Sequence, residues 1–358
     1  MSNQKKNDNG SQNTNSVETK VADTKKGGKN ATGSTFVVTA SGSTLEYAAP
    51  VKRDKKFTWK EVKRQKSLIF ISALVFIYGC IFYYWPLTGW GMAFVDYKPT
   101  AGILGSKWIG LEKFEFLFTN PLNKFWPTMR NTFCMGLLNL VTTTVMAVLF
   151  AILLNEIKSN IIKKPIQTIS YLPHFLSWII VTGILHDSLS STGIVNDLLM
   201  KMGAIDSPIN AFAEPNYFWG IVAFANCWKE TGWNAIIYLA AITSIDPCLY
   251  EAASIDGAGR LQKIRYITLP GIRPTFMILL LINVGNVLNA GFEVQYLLGN
   301  GLVKSVSQTI DIFVLDWGIS QNDFSLGSAA GIFKSVISIV LIFIANTIAK
   351  KTGDERLF

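Results

Sequence analysis

The sequence predicts an all-α integral membrane fold of six transmembrane helices, and three observations carry that expectation. The chain of 358 residues is 49% hydrophobic and only 16% charged, whereas soluble globular chains carry roughly 25% charged residues. Six stretches, at 67–87, 132–154, 166–185, 217–242, 275–298 and 327–348, each supply about 20 mainly apolar residues, the length a helix needs to cross a bilayer core of about 30 Å. The net charge of +9 is local: residues 1–66 hold 14 basic and six acidic side chains, and residues 67–358 hold 19 and 18. A uniformly basic chain would read as a nucleic-acid binder. Basicity confined ahead of the first apolar stretch excludes that class, so no nucleic-acid partner is expected.

Residues 1–50 are rich in Asn, Ser, Thr, Lys and Gly, a composition that buries too little to offset the entropy of ordering; a disordered cytoplasmic tail is expected. Residues 51–66 form a basic juxtamembrane segment with eight Lys and Arg, and 67–349 make the transmembrane domain. Tyr83, Tyr84, Trp85 and Trp90 suit an aromatic belt at the outer end of span one. Pro173 kinks span three, and His174 beside it reads as a packed or interfacial residue. Span four is interrupted by Lys229 and Glu230. The second-to-third loop carries Lys158, Lys163 and Lys164, the fourth-to-fifth Arg260, Lys263, Arg265 and Arg273, and the opposite loops are poorer in cations. The positive-inside rule then puts both termini in the cytoplasm. Cys80, Cys134, Cys227 and Cys248 form no CxxC pair, and His174 and His186 are the only histidines. No metal site is expected.

The loop at 244–274 reads SIDPCLYEAASIDGAGRLQKIRYITLPGIRP. Asp246 before Pro247 is a helix start, with a capping carboxylate and Pro at the first helical position. A short helix to Ile255 is expected, broken at Gly257 and Gly259. A second short helix over 261–268 should end at Leu269-Pro270. The result would be a helix-turn-helix on the cytoplasmic face.

Glu251-Ala252-Ala253, then Gly257, then Ile267-Thr268-Leu269-Pro270 match the spacing of the EAA loop of binding-protein-dependent ABC importers. The chain resembles the permease subunits of that MetI-like, MalF-like family. Tyr250, Ile255-Asp256-Gly257-Ala258-Gly259, Trp228, Gly232, Asn234, Ile237-Tyr238-Leu239-Ala240-Ala241, Gly291-Phe292 and Gly110-Leu111-Glu112-Lys113-Phe114 are similar to its carbohydrate branch. The resemblance covers about 67–350. It implies a type I ABC importer permease fold with its core at about 127–349. It also implies a coupling helix that docks on a cytoplasmic ATPase dimer, with Glu251, Ala252, Ala253, Asp256 and Gly257 as coupling residues. The other implied partners are a second homologous permease, as a heterodimer, and an extracellular solute-binding protein. The solute would be a carbohydrate, an oligosaccharide or polysaccharide. No Gly-x-x-x-x-Gly-Lys-[Ser/Thr] loop or nucleophile–base motif is present. The chain is therefore read as a non-catalytic subunit without a cofactor of its own, ATP and Mg belonging to the partner ATPase. Permeases for amino acids, peptides or phosphate share the loop, and an ion-coupled secondary carrier is the alternative from another class.

Polar groups at membrane depth face a bundle interior or a wet cavity. Asn226, Lys229, Glu230 and Trp233 recur at i, i+3, i+4 and i+7 in span four, so one helical face would carry all four. Asn283, Asn286, Asn289 and Glu293 make a second stripe in span five. At 1.5 Å per residue, Lys229 lies roughly 18 Å below the outer end of span four and Asn283 roughly 22 Å below that of span five, so the stripes overlap at the midplane. They read either as a translocation path, with Trp228, Trp233 and Phe292 stacking on sugar faces, or as polar contacts between helices. Lys229 and Glu230 face the path or a subunit interface, and Lys334 in span six is a weaker case.

Overall fold

The structure is a computed structural model that describes residues 35–40, 43–48 and 65–352. Most of the basic segment at 51–66 and the last six residues lie outside the described residues. Two units divide the chain at Cys80. In the first, β1 (Thr35–Ala40) and β2 (Ser43–Ala48) pair antiparallel, Phe36 opposite Tyr47 and Val38 opposite Leu45. These residues fall inside the stretch read as a disordered tail. The β-branched and aromatic content of TFVVTA and STLEYA favours strand, a local signal hidden by the average composition. The rest of that tail lies outside the described residues.

Among the described residues five helices are long and apolar enough to cross a bilayer alone, and a sixth qualifies together with a short helix bent 68° from its end. The first, α1, runs Lys66–Phe94. A two-residue ladder, β3 (Val95–Asp96) with β4 (Lys107–Trp108), then leads to the short α2 (Glu112–Thr119). The second span is α3 (Phe125–Glu156). The stretch expected as span three at 166–185 is split into the amphipathic α4 (Asn160–Tyr171), a 3-10 turn at Leu172–Phe175, and α5 (Trp178–Leu189); the membrane-length stretch instead runs Trp178–Lys201, through α5 and α6 (Ile194–Lys201). The fourth span is α7 (Pro215–Thr243), followed by α8 (Pro247–Ile255). The fifth is α9 (Arg260–Gly285), after which α10 (Phe292–Leu298) resumes. A short α11 (Ile310–Val314) precedes the last span, α12 (Phe324–Thr352).

Three expectations are corrected here. Span three is broken rather than kinked, because Pro173 lacks an N–H and Leu176 and Ser177 adopt extended backbone. The second loop helix does not stop at Leu269-Pro270. Helix continues from Arg260 through Pro270 to Gly285, with a π-helical turn at Ile264–Thr268 just before the proline. The wider turn makes room for the pyrrolidine ring, which would clash with the carbonyl four residues back in a regular helix. Span five is not one helix over 275–298: α9 ends at Gly285, and residues 286–291 are non-helical.

Helices α3 and α7 form the central pair. Two apolar clusters lie along them. Met135, Val181, Val222, Ala225, Ala290 and Val294 pack in one. Ala147, Ala151, Ala235, Tyr238 and Ile272 pack in the other. Between membrane helices such packing is held by van der Waals contact rather than by exclusion of water. Between the two clusters, α3, α7 and α9 each carry polar residues on one side, and these make the site.

Candidate functional site: an amide-lined cavity and a capped elbow

Between the clusters lies a cavity of about 200 Å³. Helix α3 supplies Asn139 and Thr143, one turn apart. Helix α7 supplies Asn226, Glu230 and Asn234, also at one-turn intervals. The end of α9 and the non-helical segment supply Asn283, Asn286 and Asn289. The unwinding puts the last two there: the Asn286 amide donates to the Ile282 carbonyl at 3.2 Å, and the Asn289 amide to Asn286 Oδ1 at 3.2 Å. Asn139 donates across to the Ala290 carbonyl at 3.5 Å. Asn226 satisfies its amide on the Val222 carbonyl at 2.9 Å.

Close backbone approach makes this arrangement possible. A Cβ on Gly136 of α3 would fall 1.8 Å from the Val287 carbonyl oxygen, so the unwound segment rests directly on the helix. A Cβ on Gly232 of α7 would fall 2.0 Å from the Ser170 carbonyl oxygen of α4. Small residues of this kind let membrane helices pack closely.

Of the sequence-based candidates, Asn226, Glu230, Asn283, Asn286 and Asn289 line the cavity. Five others do not. Trp228 lines an apolar groove of about 660 Å³ between α5, α6 and α7. Lys229 is buried, 6% exposed, against the break in span three. Trp233 stacks on the His174 ring, centroids 4.4 Å apart. Phe292 stacks on Tyr296 at 5.2 Å. Glu293 is exposed in the first turn of α10. The stripe in span four therefore serves more than one neighbour. Adjacent helical residues point about 100° apart, so Glu230 reaches the cavity while Lys229 reaches the 3-10 turn at Leu172–Phe175. Asn139, Thr143 and Asn234 escaped the sequence-based candidate set. Asn139 within an apolar span is the kind of intramembrane polar residue that marks a path. Lys334 pairs with Asp311 at 2.6 Å.

Glu230 is held at its post. His174 Nδ1 lies 2.9 Å from its Oε2, and Lys229 Nζ lies 3.8 Å from its Oε1. The histidine is thus a packed partner, as expected. Asparagine amides both donate and accept, and the carboxylate accepts. Such a lining can exchange hydrogen bonds with a neutral hydroxylated solute as water leaves.

At the far end of α7 the chain turns into the elbow. Asp246 Oδ1 caps α8 by accepting from the Cys248 N–H at 2.9 Å. At the other end Gly257 takes φ +76°, its N–H bonds the Ser254 carbonyl at 3.2 Å, and the Ala258 N–H bonds the Ala253 carbonyl at 2.8 Å. That is a Schellman cap, and its left-handed residue favours glycine. Tyr250 Oη meets Thr268 Oγ1 at 3.0 Å, and Lys263 Nζ donates to Ser254 Oγ at 2.6 Å. These bonds fasten α8 to the start of α9. Glu251, Ala252 and Asp256 stay exposed and Ala253 half-buried, beside exposed Leu249, Ile255 and Leu261. The five candidate coupling residues thus sit together on or just after one short helix.

Apolar spans around a polar cavity, with a capped elbow at one end, define a multi-pass membrane permease of the type I ABC importer fold. The chain belongs to the family of binding-protein-dependent transport system inner membrane components, whose profile matches residues 115–353. It is 39% identical over 310 residues to the polygalacturonan/rhamnogalacturonan transport system permease protein YteP of Bacillus subtilis, covering 84% of this chain and 95% of that one. It is 40% identical over 318 residues to protein LplB of the same organism, covering 86% and 99%. A solved structure of a bacterial ABC transporter that imports the acidic polysaccharide alginate superposes with a TM-score of 0.75 at 37% identity, covering 82% of this chain and 98% of that one. A second structure of a bacterial alginate ABC transporter, with its pentasaccharide-bound periplasmic protein, superposes equally well.

Proposed function

We propose that this chain is one permease half of an ATP-driven importer that passes an oligosaccharide delivered by an extracellular binding protein. The observation that carries the reading is the cavity in which six asparagines and Glu230 converge between two apolar clusters. Amide-rich linings match sugar hydroxyls. The carbohydrate solutes in the names of YteP and of the alginate transporter support the same class. A second, similar permease completes the wall of the path. The binding protein docks on the face opposite the elbow.

The elbow is the coupling element. Exposed Glu251, Ala252 and Asp256 dock in a groove on the cytoplasmic ATPase dimer, which binds ATP and Mg. The stiff Asp246 and Gly257 caps pass its motion to α7 and α9. The basic loops support cytoplasmic N and C termini.

The test is oligosaccharide uptake by cells carrying the intact transporter or one with an ATPase-dead partner. Uptake that stops with the dead ATPase, and that is competed by oligosaccharides but not by amino acids or phosphate, is the expected result. Uptake that persists on an ion gradient alone would overturn it in favour of a secondary carrier.

A further inference from the structure

Lys229 is the midpoint of α7, and the transport reading gives it no part in the cavity. A lysine at the centre of a membrane helix is costly unless it has partners. Its partners are the backbone of the break in span three. The 3-10 turn at Leu172–Phe175 and the extended Leu176 interrupt the helical bonding; the Pro173 carbonyl accepts the Leu176 N–H at 3.1 Å, and the His174 carbonyl faces α7. Lys229 Nζ donates to the carbonyl of His174 and lies 3.5 Å from that of Pro173. It also sits 5.4 Å from the centre of the Trp178 ring, the first residue of α5. One ammonium therefore touches both sides of the break.

The neighbouring residues of α7 hold the same segment. Glu230 bonds the His174 ring, Trp233 stacks on it, and Gly232 lies against the Ser170 carbonyl. Phe175 sets its edge against Trp233 at 5.7 Å. The grip is thus continuous from Lys229 to Trp233, and Glu230 is its one member that also lines the cavity.

We infer that Lys229 is a positioning residue for transport: it clamps the break in span three to span four and so fixes Glu230 in the cavity wall. The ammonium ties the His174 carbonyl at the break to α7 and balances the Glu230 carboxylate. Without it, the turn at 172–177 loses its anchor, and Glu230 keeps only His174. Span four and the outer half of span three then cease to move as one body. Lys229 itself does not meet the solute.

Hydrogen exchange and uptake together test this on the assembled, purified transporter in lipid nanodiscs and in cells. Lys229→Met should speed amide exchange across residues 172–180 by roughly 10- to 100-fold, as expected for loss of charge-assisted bonds, and leave α3 unchanged. The apparent KM for uptake should rise, with the maximal rate per assembled transporter held within about twofold. Lys229→Arg, which keeps charge and donors, should restore both readouts. Should Lys229→Met fail to assemble, Lys229→Met/Glu230→Gln removes the unbalanced carboxylate and should assemble while exchange at 172–180 stays fast. Wild-type exchange at 172–180 in either methionine variant would overturn the proposal. So would an arginine variant as fast as the methionine one, or a lowered maximal rate at unchanged KM. The uptake arm rests on the carbohydrate reading and uses maltopentaose and pentagalacturonate as neutral and acidic probes. If the wild type takes up neither, that reading fails while the exchange arm still judges the clamp.

Discussion

Replacing Gly136 by alanine should damage transport more than stability. The new methyl carbon would lie 1.8 Å from the Val287 carbonyl oxygen and 2.8 Å from its carbon. Both are backbone atoms, so no side chain can swing aside. To reach even a 3.0 Å contact, α3 and the 286–291 segment must part by about 1.2 Å, which a close-packed interior resists. Overpacking of this kind costs about 1–3 kcal/mol, partly offset by the roughly 0.5–1 kcal/mol that alanine gains over glycine inside a helix. The displaced segment carries Asn286 and Asn289 and accepts the 3.5 Å bond from Asn139. A shift of about 1 Å in positioning groups can cost on the order of a hundredfold in rate. The expected result is uptake reduced roughly 10- to 100-fold, with membrane-assembled protein falling by no more than about twofold. Gly331→Ala on α12 is the control, because its methyl group meets nothing within 4 Å, and it should be neutral or slightly stabilising. Thermal unfolding and initial uptake rates measure both. Wild-type uptake in the Gly136→Ala strain would refute the close approach and the cavity wall built on it.

Further expectations follow from particular contacts. Gly257→Val forces a β-branched residue into φ +76°, costing about 1–2 kcal/mol in the elbow; ATPase activity should persist while uptake falls. Glu251→Lys should leave the permease in the membrane but weaken co-purification of the ATPase. Asn286→Leu should raise the apparent KM about tenfold or more, since a buried solute hydroxyl loses its partner. Lys334→Met breaks a 2.6 Å pair with Asp311 and should destabilise by about 1.5–3 kcal/mol, with part of the loss recovered in Lys334→Met/Asp311→Asn on thermal unfolding.

The spans were legible in the sequence because hydropathy over about 20 residues reports which segments cross a bilayer. The elbow was legible for a different reason. Asp246-Pro247 and Gly257 are backbone signals, and both caps form where those residues stand. The cavity was half legible. Asn226 and Glu230 lie on a regular helix, where spacing alone fixes direction. Asn286 and Asn289 reach the cavity by another route than a helical stripe, because the helix stops at Gly285. Lys229 was assigned to a shared face that spacing permits, but spacing is blind to where a neighbouring span breaks and turns a carbonyl toward it.

The two breaks at 172–177 and 286–291 meet one physical constraint. Lipid cannot satisfy freed N–H and carbonyl groups, so irregular backbone at membrane depth survives only against protein or a wet cavity. The first break is satisfied by Lys229 and Ser177, whose hydroxyl accepts from the Ile180 N–H. The second is satisfied by Asn139 and by its own turn bonds, Asn289 N–H to the Asn286 carbonyl among them. Helices α3 and α7 supply these donors, and they also carry the glycines that let the breaks approach. The same two helices bear Asn139, Asn226 and Glu230. Repairing the broken spans and lining the path are therefore one structural task, shared by polar residues of α3 between Met135 and Ala147 and of α7 between Ala225 and Ala235. A variant that restored continuous helix at 286–291 would keep every span and every hydropathy peak, yet carry Asn289 out of register with Asn226. Its spans would insert normally and its uptake would fail.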